Sequence, residues 1–305
     1  MIKDTIKDAV SSIRETVKQE DIFVTEETGL KMPSRRIIID IIKDMRRVIF
    51  PGYFGDENIS SSMPDYFLGN MMTEIYEKLK GQICIALKYR EQEALAPDKA
   101  EEMAADIAEK FIGKIPYIQK MLLMDIQASF DGDPAAKSKE DIIFSYPGLL
   151  AVYVYRISHE LYVQDVPFIP RIMTEYAHSL TGIDINSGAV IGKYFCIDHG
   201  TGIVIGETTV IGDYVKIYQG VTLGALSTRK GQQLAGVKRH PTIGDHVTIY
   251  ANSTLLGGET VIGDGCVIGG NSVIMKSVPA HTRVKINSPE ITIIPDSHGT
   301  DDIWD

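Results

Sequence analysis

Cysteines and long apolar runs are both scarce in this chain of 305 residues. The three cysteines, Cys84, Cys196 and Cys266, form neither an even disulfide set nor a metal-binding spacing, which favours a reducing, cytoplasmic setting. No stretch approaches the roughly 20 consecutive apolar residues that a membrane-spanning helix requires. The first eight residues carry four charges and no apolar core, so we predict neither a signal peptide nor a membrane anchor.

Basic side chains are also in short supply. Lys and Arg number 31 against 41 Asp and Glu, which gives a formal net charge of −10. This balance argues against nucleic acid as the main partner, although a phosphorylated cofactor needs only a local basic loop. Apolar residues make up 44% of the chain, as in a globular protein, and the length allows two domains.

Aliphatic residues recur every six positions between Ile183 and Val273, with turn-forming Gly, Asp, Asn, Ser and Thr between them. Six residues suffice for one short strand and one sharp corner, so the repeat predicts a parallel β-helix; the strands of a β-sandwich would not keep this register. Three units complete a coil, and residues eighteen apart are therefore expected to stack. Two runs carry the pattern: Ile185, Ile191, Ile197, Ile203, Thr209, Val215 and Val221, then Ile243, Ile249, Leu255, Val261, Val267 and Val273.

The first 180 residues lack this period and carry apolar residues at helical spacing. We predict an α+β chain with an all-helical domain over 1–180, a β-helix over 181–280 and an acidic tail over 281–305. The narrow apolar stripe of the first helix is expected to dock on the body of the protein, with assembly as the alternative. Helices are predicted at 1–20, between 33 and 51, and at about 65–89, 98–112, 117–130, 147–163 and 169–180, with a turn near Thr28-Gly29.

The hexapeptide register breaks between Val221 and Ile243, where the polar and basic segment Gly224–His240 is inserted. The segment ends in Arg239-His240, so an arginine and a histidine return to the scaffold together. Loops on rigid scaffolds often carry function, and the basic residues favour a ligand-binding loop over a tolerated insertion.

Histidines within the repeat are the candidates for chemistry. His199 lies two residues after an aliphatic position, where later coils carry isoleucine, and both a general base and an ordinary core or solvent-facing histidine fit this place. The upstream carboxylate of Asp184 would fix the tautomer of His199 and raise its basicity. His199, His240 and His246 are also candidate ligands for a metal ion, as in β-helices that bind a metal through three histidines. We expect His246 to be a solvated turn residue and the chain to hold no metal.

Several segments resemble motifs of the serine O-acetyltransferase family. Asp198-His199-Gly200-Thr201-Gly202 and the residues that follow, up to Glu207, are similar to the active-site motif of that family. The resemblance covers about residues 130–280, and although many acyltransferases share hexapeptide repeats, the combination of motifs is highly specific. The other matching segments are Gly182-Ile183-Asp184-Ile185, Lys238-Arg239-His240-Pro241, Asp133-Pro134 and Tyr155-Arg156-Ile157-Ser158-His159.

The resemblance implies that the β-helix is left-handed and that the protein transfers acetyl from acetyl-CoA to the hydroxyl of L-serine. The products would be O-acetylserine and CoA, in cysteine biosynthesis. His199 would act as general base, oriented by Asp184, and the serine alkoxide would attack the thioester without an acyl-enzyme. His240 is counted with both the catalytic and the serine-binding residues.

The resemblance also implies where the substrates bind. Asp133 and Asp198 would face the ammonium group of serine, whereas Arg239 and His240 would bind its carboxylate, for which the arginine fork is well suited. CoA would lie along the β-helix, with Lys276 near a phosphate group. The implied CoA-binding residues are Gly224, Ala225, Ala251, Gly269, Gly270 and Lys276.

Family members assemble as trimers, with the site between neighbouring subunits, and trimers commonly pair; we therefore expect a homotrimer or a dimer of trimers. The chain departs from the family pattern in its longer helical part and in Ile286–Glu290, where distal CoA contacts are expected. It ends in Asp305 where many members end in an isoleucine that binds the next enzyme of the pathway, so a cysteine-synthase partner is not carried over. Feedback inhibition by cysteine remains a hypothesis.

Three other functions compete with serine acetylation. Another acceptor, a sugar or homoserine, would keep the fold, but a sugar would leave the charged set of Asp133, Asp198 and Arg239 unexplained. A metal-dependent hydratase like the carbonic-anhydrase-type β-helices would need one ion per site. If the protein were a non-catalytic assembly module, loss of His199 would leave every activity unchanged.

Overall fold

The computed structural model describes residues 2–19, 31–54, 64–91 and 95–287. Within these ranges, seven α-helices precede a parallel β-helix, which confirms the predicted fold; the predicted turn near Thr28-Gly29 and the end of the tail lie outside them. None of the helices in these ranges is both long and apolar enough to cross a membrane. The helices are α1 (Ile2–Gln19), α2 (Arg35–Ile49), α3 (Pro64–Glu91), α4 (Pro97–Gly132), α5 (Lys139–Ser145), α6 (Pro147–Tyr162) and α7 (Ile169–Thr181).

Helix α1 does not dock on the body of the chain, so that prediction is wrong. None of its residues is buried, and Ile2, Ile6, Val10 and Ile13 are each at least half exposed. The helix has charged residues beside this stripe, and no apolar surface from the described residues lies against it.

Helix α4 is one continuous helix where two were predicted. Pro116 lies inside it, although an interior proline removes a hydrogen bond and costs about 3 kcal/mol. Its neighbours Phe111, Ile115 and Ile118 are all buried, and this burial outweighs the cost. The short α5 was not predicted; its signal is the capping residue Ser138, whose side chain accepts the amide of Asp141.

The β-helix has three strands in each coil, and each strand pairs in parallel with strands of adjacent coils. We call the three stacks the first, second and third faces. The strand β14 lies past residue 280, where the β-helix was expected to end. The first face contains β1 (Asp184–Ile185), β4 (Val204–Ile205), β7 (Thr222–Gly224), β10 (Thr254–Leu256) and β13 (Val273–Ile274); the second contains β2 (Val190–Ile191), β5 (Val210–Ile211), β8 (Thr242–Ile243) and β11 (Val261–Ile262); the third contains β3 (Cys196–Asp198), β6 (Lys216–Tyr218), β9 (Thr248–Ile249), β12 (Val267–Ile268) and β14 (Arg283–Val284).

The coils differ in length, so the predicted eighteen-residue stacking is wrong for most of them. Asp184 pairs with Val204, twenty residues on, and Thr254 with Val273, nineteen on. Only the pairing of Val204 with Thr222 has the expected spacing on this face. The difference arises at the corners, whose length the strand hydrogen bonds do not constrain.

One consequence is a shift of the inward-facing residue in the last coils. Val261 was predicted to point inward, but it is 44% exposed, and Ile262 and Ile268 fill the core instead. In the first coils the predicted positions hold, since Ile185 and Ile191 are buried. A corner one residue longer is enough to move the whole pattern, because alternate strand residues face opposite sides.

A buried ion pair joins the helical domain to the first coil. Arg156 on α6 donates to both carboxylate oxygens of Asp125 on α4, at 2.5 and 2.8 Å, and to the carbonyl of Gly192 at 2.8 Å. The same carboxylate accepts the amide of Phe195 at 2.9 Å. Both charged side chains are almost completely buried, so they are satisfied only when α4, α6 and the first coil are packed together.

Candidate active site

His199 lies on the corner between the third and first faces, and this corner is two residues longer than its counterpart in the next coil. Asp198 pairs with Tyr218 of the next coil, and the two coils meet again where the amide of Gly220 donates to the carbonyl of Thr201. The next coil therefore has no residues equivalent to His199 and Gly200. The side chain of His199 is 74% exposed, on a backbone with φ of +58°. The six-residue register placed His199 level with isoleucines of later coils, and the sequence left both a core and a solvent-facing position open. A two-residue insertion places the side chain on the surface.

Asp198 connects His199 to the helical domain. One oxygen of its carboxylate is 3.7 Å from Nε2 of His199, and the other binds the ammonium of Lys216 at 2.8 Å. Lys216 also donates to the carbonyl of Gly132 at 2.6 Å. Burial is the largest single influence on the pKa of Lys216 and lowers it, but the hydrogen bonds with Asp198 and Tyr218 and the charge of Asp198 together outweigh burial and raise the pKa, so the lysine remains charged. The last turn of α4 is thereby fixed against the His199 corner.

Asp133 follows α4 directly and is held ionised beside the same corner. Its carboxylate accepts the hydroxyl of Tyr146 at 2.6 Å and the amide of Ala135 at 2.8 Å. These hydrogen bonds, that of Tyr146 foremost, lower the pKa of Asp133, and the charges of Lys216 and His199 add to the effect. The hydrogen bond to Asp133 also raises the pKa of Tyr146 to about 12. Two anionic groups thus lie near one exposed imidazole.

The end of the inserted loop is held on the other corner of the first face, towards the second face. Glu207 binds the guanidinium of Arg239 and accepts the hydroxyl of Tyr162 at 2.9 Å. The neighbouring Thr208 accepts the backbone amides of Arg239 and His240 through Oγ1, at 2.9 and 3.1 Å. The dipeptide Glu207-Thr208 therefore fixes both the side chain of the arginine and the backbone that carries the histidine.

Lys238 anchors the same loop end through carbonyl groups alone. Its ammonium donates to the carbonyls of Thr208, His240 and Pro241, at 2.6, 2.5 and 3.2 Å. Burial lowers the pKa of Lys238. Among the described residues Lys238 has no carboxylate partner, and its three hydrogen bonds attach the end of the loop to the coil of Thr208.

His240 is buried in the clamp, with 8% of its surface exposed. Its ring packs against Gly206, where a Cβ would lie 2.1 Å from the imidazole, so only glycine fits there. Burial first, and then the charge of Arg239, lower the pKa of His240 to about 4. The side chain is neutral at pH 7 in consequence.

Stability should depend on this histidine in weak acid. Because the folded-state pKa of about 4 lies below the ordinary value of 6.5, only the unfolded chain binds a proton at His240 between these pH values. The contribution of neutral His240 to the free energy of unfolding is complete above about pH 6.5 and is lost as the pH falls towards about 4. Urea unfolding across this interval should show a steeper fall in the free energy of unfolding for the native chain than for His240→Gln. Equal slopes would contradict the assignment.

Asp184, the predicted orienting carboxylate, is not in contact with His199. Among the described residues no hydrogen bond joins the two, and Asp184 instead lies with Glu175 and His178 of α7. One donor atom from each of these three side chains lies within 4.8 Å of the others. Carboxylate and imidazole are metal-binding groups, so the predicted absence of a metal stays a prediction.

The residues predicted to bind CoA fall on both edges of the first face. Ala251 and Gly270 lie on corners of later coils that stack in line with the corner of His199. Hydrogen bonds show this stacking, because the amide of Asn252 donates to the carbonyl of Gln219 and the amide of Asn271 donates to the carbonyl of Ala251. Gly224 and Ala225 lie at the loop corner instead, beside a groove of about 360 Å³. The groove is lined in part by Leu226, Leu256, Met275, Lys230 and Arg239.

Backbone packing by itself accounts for two of these residues. A Cβ on Gly269 would lie 2.9 Å from the carbonyl of Val284, and one on Gly270 would lie 3.0 Å from that of Ala251. Lys276 is exposed and has no ionic or hydrogen-bond partner among the described residues. These three positions stay predictions as CoA contacts.

Four residues of the site were missed in the sequence: Tyr146, Lys216, Glu207 as the arginine partner, and Thr208. Glu207 stands at the end of the segment that resembles the family motif, so the motif contained a signal for it. Lys216 has no such signal, because its contact with Gly132 spans 84 residues of chain.

Comparisons with known proteins agree with this architecture, although no family model matches the chain. A serine acetyltransferase of Synechococcus elongatus, marked as plasmid-borne, is 44% identical over 223 residues, which are 71% of this chain and 70% of that protein. A serine acetyltransferase of Bacillus pumilus is 46% identical over 165 residues, which are 54% of this chain and 73% of that protein.

Solved structures show the same likeness. Serine acetyltransferase isoform 3 of Entamoeba histolytica, in complex with cysteine, has a TM-score of 0.71 and 31% identity, covering 88% of this chain and 86% of that one. The serine acetyltransferase of Neisseria gonorrhoeae, in complex with serine, has a TM-score of 0.54 and 26% identity, covering 82% and 96%.

A helical domain that leads into a hexapeptide β-helix, with a histidine on an extended corner and a basic inserted loop, defines an acyltransferase of the hexapeptide-repeat class. Within that class, the chain belongs to the serine acetyltransferase family. Members of this family take acetyl-CoA as co-substrate and act in cysteine biosynthesis.

Proposed function

We propose that this enzyme transfers acetyl from acetyl-CoA to the hydroxyl of L-serine, with His199 as general base. The observation that carries the proposal is the division of charge around the site. Asp133 and Asp198 lie beside an exposed imidazole, and Arg239 is held at the end of the loop. A zwitterionic amino acid requires groups of both signs, which a sugar would leave unused.

The chemistry follows from the exposed ring of His199. Its imidazole takes the proton of the serine hydroxyl while the oxygen attacks the thioester carbon, the C–S bond breaks, and the proton passes to the leaving CoA thiolate. Asp133 and Asp198 bind the ammonium group, and Arg239 and His240 the carboxylate. Asp184 orients the base, which requires movement from its place beside α7.

The two charged halves lie on opposite edges of the first face, and no contact among the described residues joins them. This separation supports a site formed by two neighbouring copies, in a homotrimer or a dimer of trimers. CoA then follows the groove beside Gly224 and Ala225, where Lys230 supplies a cation and Leu226 and Leu256 supply apolar surface. The three free cysteines agree with a cytoplasmic location.

Thiol release from acetyl-CoA, measured with L-serine, L-homoserine and amino sugars as acceptors, tests the proposal. We expect CoA release with serine to exceed that with the other acceptors by at least tenfold, since their carboxylate or hydroxyl would be misplaced. Faster CoA release with homoserine or an amino sugar would show that serine is not the preferred acceptor. Silence with every acceptor, together with one bound metal ion per chain, would favour a metal-dependent hydratase instead.

A further inference from the structure

The hydrogen bonds around His240 leave only one tautomer. The backbone amide of Thr208 lies 3.0 Å from Nδ1 of His240, and an amide can only donate. Nδ1 is therefore the unprotonated nitrogen, and the proton of the neutral ring is on Nε2.

The hydroxyl of Thr208 completes the same arrangement. Oγ1 accepts the amides of Arg239 and His240, so its own hydrogen is free to donate to Nδ1 of His240 at 2.9 Å. One threonine thus makes four hydrogen bonds with the dipeptide, two to the backbone and two to the ring. Both ring contacts oppose a proton on Nδ1.

No residue in the described part of the chain accepts a hydrogen bond from Nε2 of His240. Thr208 occupies Nδ1, and the edge of the ring that carries Cδ2 and Nε2 lies against the backbone of Gly206. A buried ring with every polar contact satisfied except one N–H presents that N–H to a ligand. The guanidinium of Arg239, the next residue, disfavours a second positive charge on the ring.

We propose that Thr208 is a positioning residue that holds His240 as a neutral Nε2–H donor for the carboxylate of the acceptor amino acid. His240 then binds substrate without competing with His199 as a base. This inference rests on the proposed function, because the carboxylate belongs to the acceptor. On this proposal His240 binds substrate, and the catalytic role that the resemblance implied for it stays a prediction; a ring with Nδ1 already occupied cannot take a proton there.

Three variants separate this role from a general effect on folding. Thr208→Val keeps the shape of the side chain and removes the hydroxyl, whereas Thr208→Ser retains it. Thr209→Val is the matched control, because the adjacent hydroxyl of Thr209 is fully buried and has no hydrogen-bond partner among the described residues. Removing it disturbs none of the contacts to His240.

The first measurement is long-range ¹H–¹⁵N NMR of the histidine rings in the substrate-free protein, with His240 assigned by its absence in His240→Gln. We expect the native chain, Thr208→Ser and Thr209→Val to show the Nε2–H pattern of His240 at pH 7. Thr208→Val keeps the backbone amide that donates to Nδ1 but loses the hydroxyl that holds Arg239 and His240, so the Nε2–H pattern should persist with the His240 signals shifted or broadened. A proton on Nδ1 in the native chain, or His240 signals in Thr208→Val identical to those of the native chain, would overturn the proposal.

The second measurement is steady-state kinetics with serine. Thr208→Val should raise KM for serine by about tenfold or more, with a smaller change in kcat, and Thr208→Ser should recover most of it. Thr209→Val should leave both constants unchanged. If Thr208→Val and Thr209→Val changed kcat and KM to the same extent, Thr208 would have only a structural role. If the native chain does not acetylate serine, the proposed function fails, and the NMR result still decides the tautomer.

Discussion

Replacing His199 with asparagine should lower kcat for serine acetylation by about 10²-fold or more, because the base that takes the hydroxyl proton is lost. Asparagine is the right substitute here. The backbone at His199 has a positive φ, and asparagine tolerates that conformation; indeed Asn252 and Asn271 occupy later corners with φ of +59° and +60°. The measurement is CoA release at saturating serine and acetyl-CoA.

His246→Asn provides the control for this variant. His246 is also a corner residue of positive φ, +56°, but its ring stacks on Tyr214 at 4.7 Å, away from the site. Its replacement should leave kcat unchanged. A kcat for His199→Asn within a few-fold of the native value would remove His199 from the role of base.

The same variant locates the second half of the site. Chains with His199→Asn and chains with Arg239→Gln should each be inactive, but co-assembled mixtures should regain activity if His199 and Arg239 of one site come from different copies. Activity that stays at the level of the separate variants would place the whole site within one chain.

Asp125→Asn should reduce the free energy of unfolding by about 3–5 kcal/mol, since it leaves Arg156 as an unpaired charge in the interior. The substitution keeps the size of the side chain and removes only its charge, so a cavity contributes little. The loss should be visible as a lower urea midpoint. We also expect weaker packing of the helical domain on the first coil, because the amide of Phe195 shares the same carboxylate.

Asp165→Asn is the matched control, because it removes an acid from an exposed pair. Asp165 lies 2.8 Å from Arg90, yet its side chain is 89% exposed. The loss should be within about 1 kcal/mol. A double variant, Asp125→Leu with Arg156→Met, should recover part of the stability lost by Asp125→Asn, since no charge is then buried. Similar losses for Asp125→Asn and Asp165→Asn would contradict the importance of burial.

Periodicity predicted the architecture well, because it reports which residues of a regular element face the core. The repeat around Ile185 and Ile191 predicted the β-helix, and helical spacing predicted α2 and α7 within a few residues. The errors have specific causes. Two helices were predicted on either side of Pro116, where the structure has one; the local cost of a proline is visible in sequence, whereas the buried face that compensates for it is not.

The candidate site was less predictable, since its charged groups meet across long stretches of chain. His199 was singled out because later coils carry isoleucine at its place in the six-residue register; in the structure it lies on a corner extended by two residues. Asp184 was expected beside His199, but in the structure it lies with Glu175 and His178. Its orienting role stays a prediction.

The sequence alone determined the order of the domains, the six-residue strand-and-corner unit and the motifs that indicate the family, because each depends on residues close together in the chain. Only the tertiary structure decided the contact of Lys216 with Gly132, the burial of Asp125 with Arg156 and the capture of His240 by Thr208. The physical reason is that hydrogen bonding and burial act between neighbours in space. A polar side chain acquires its charge state and tautomer from partners that its own segment does not contain.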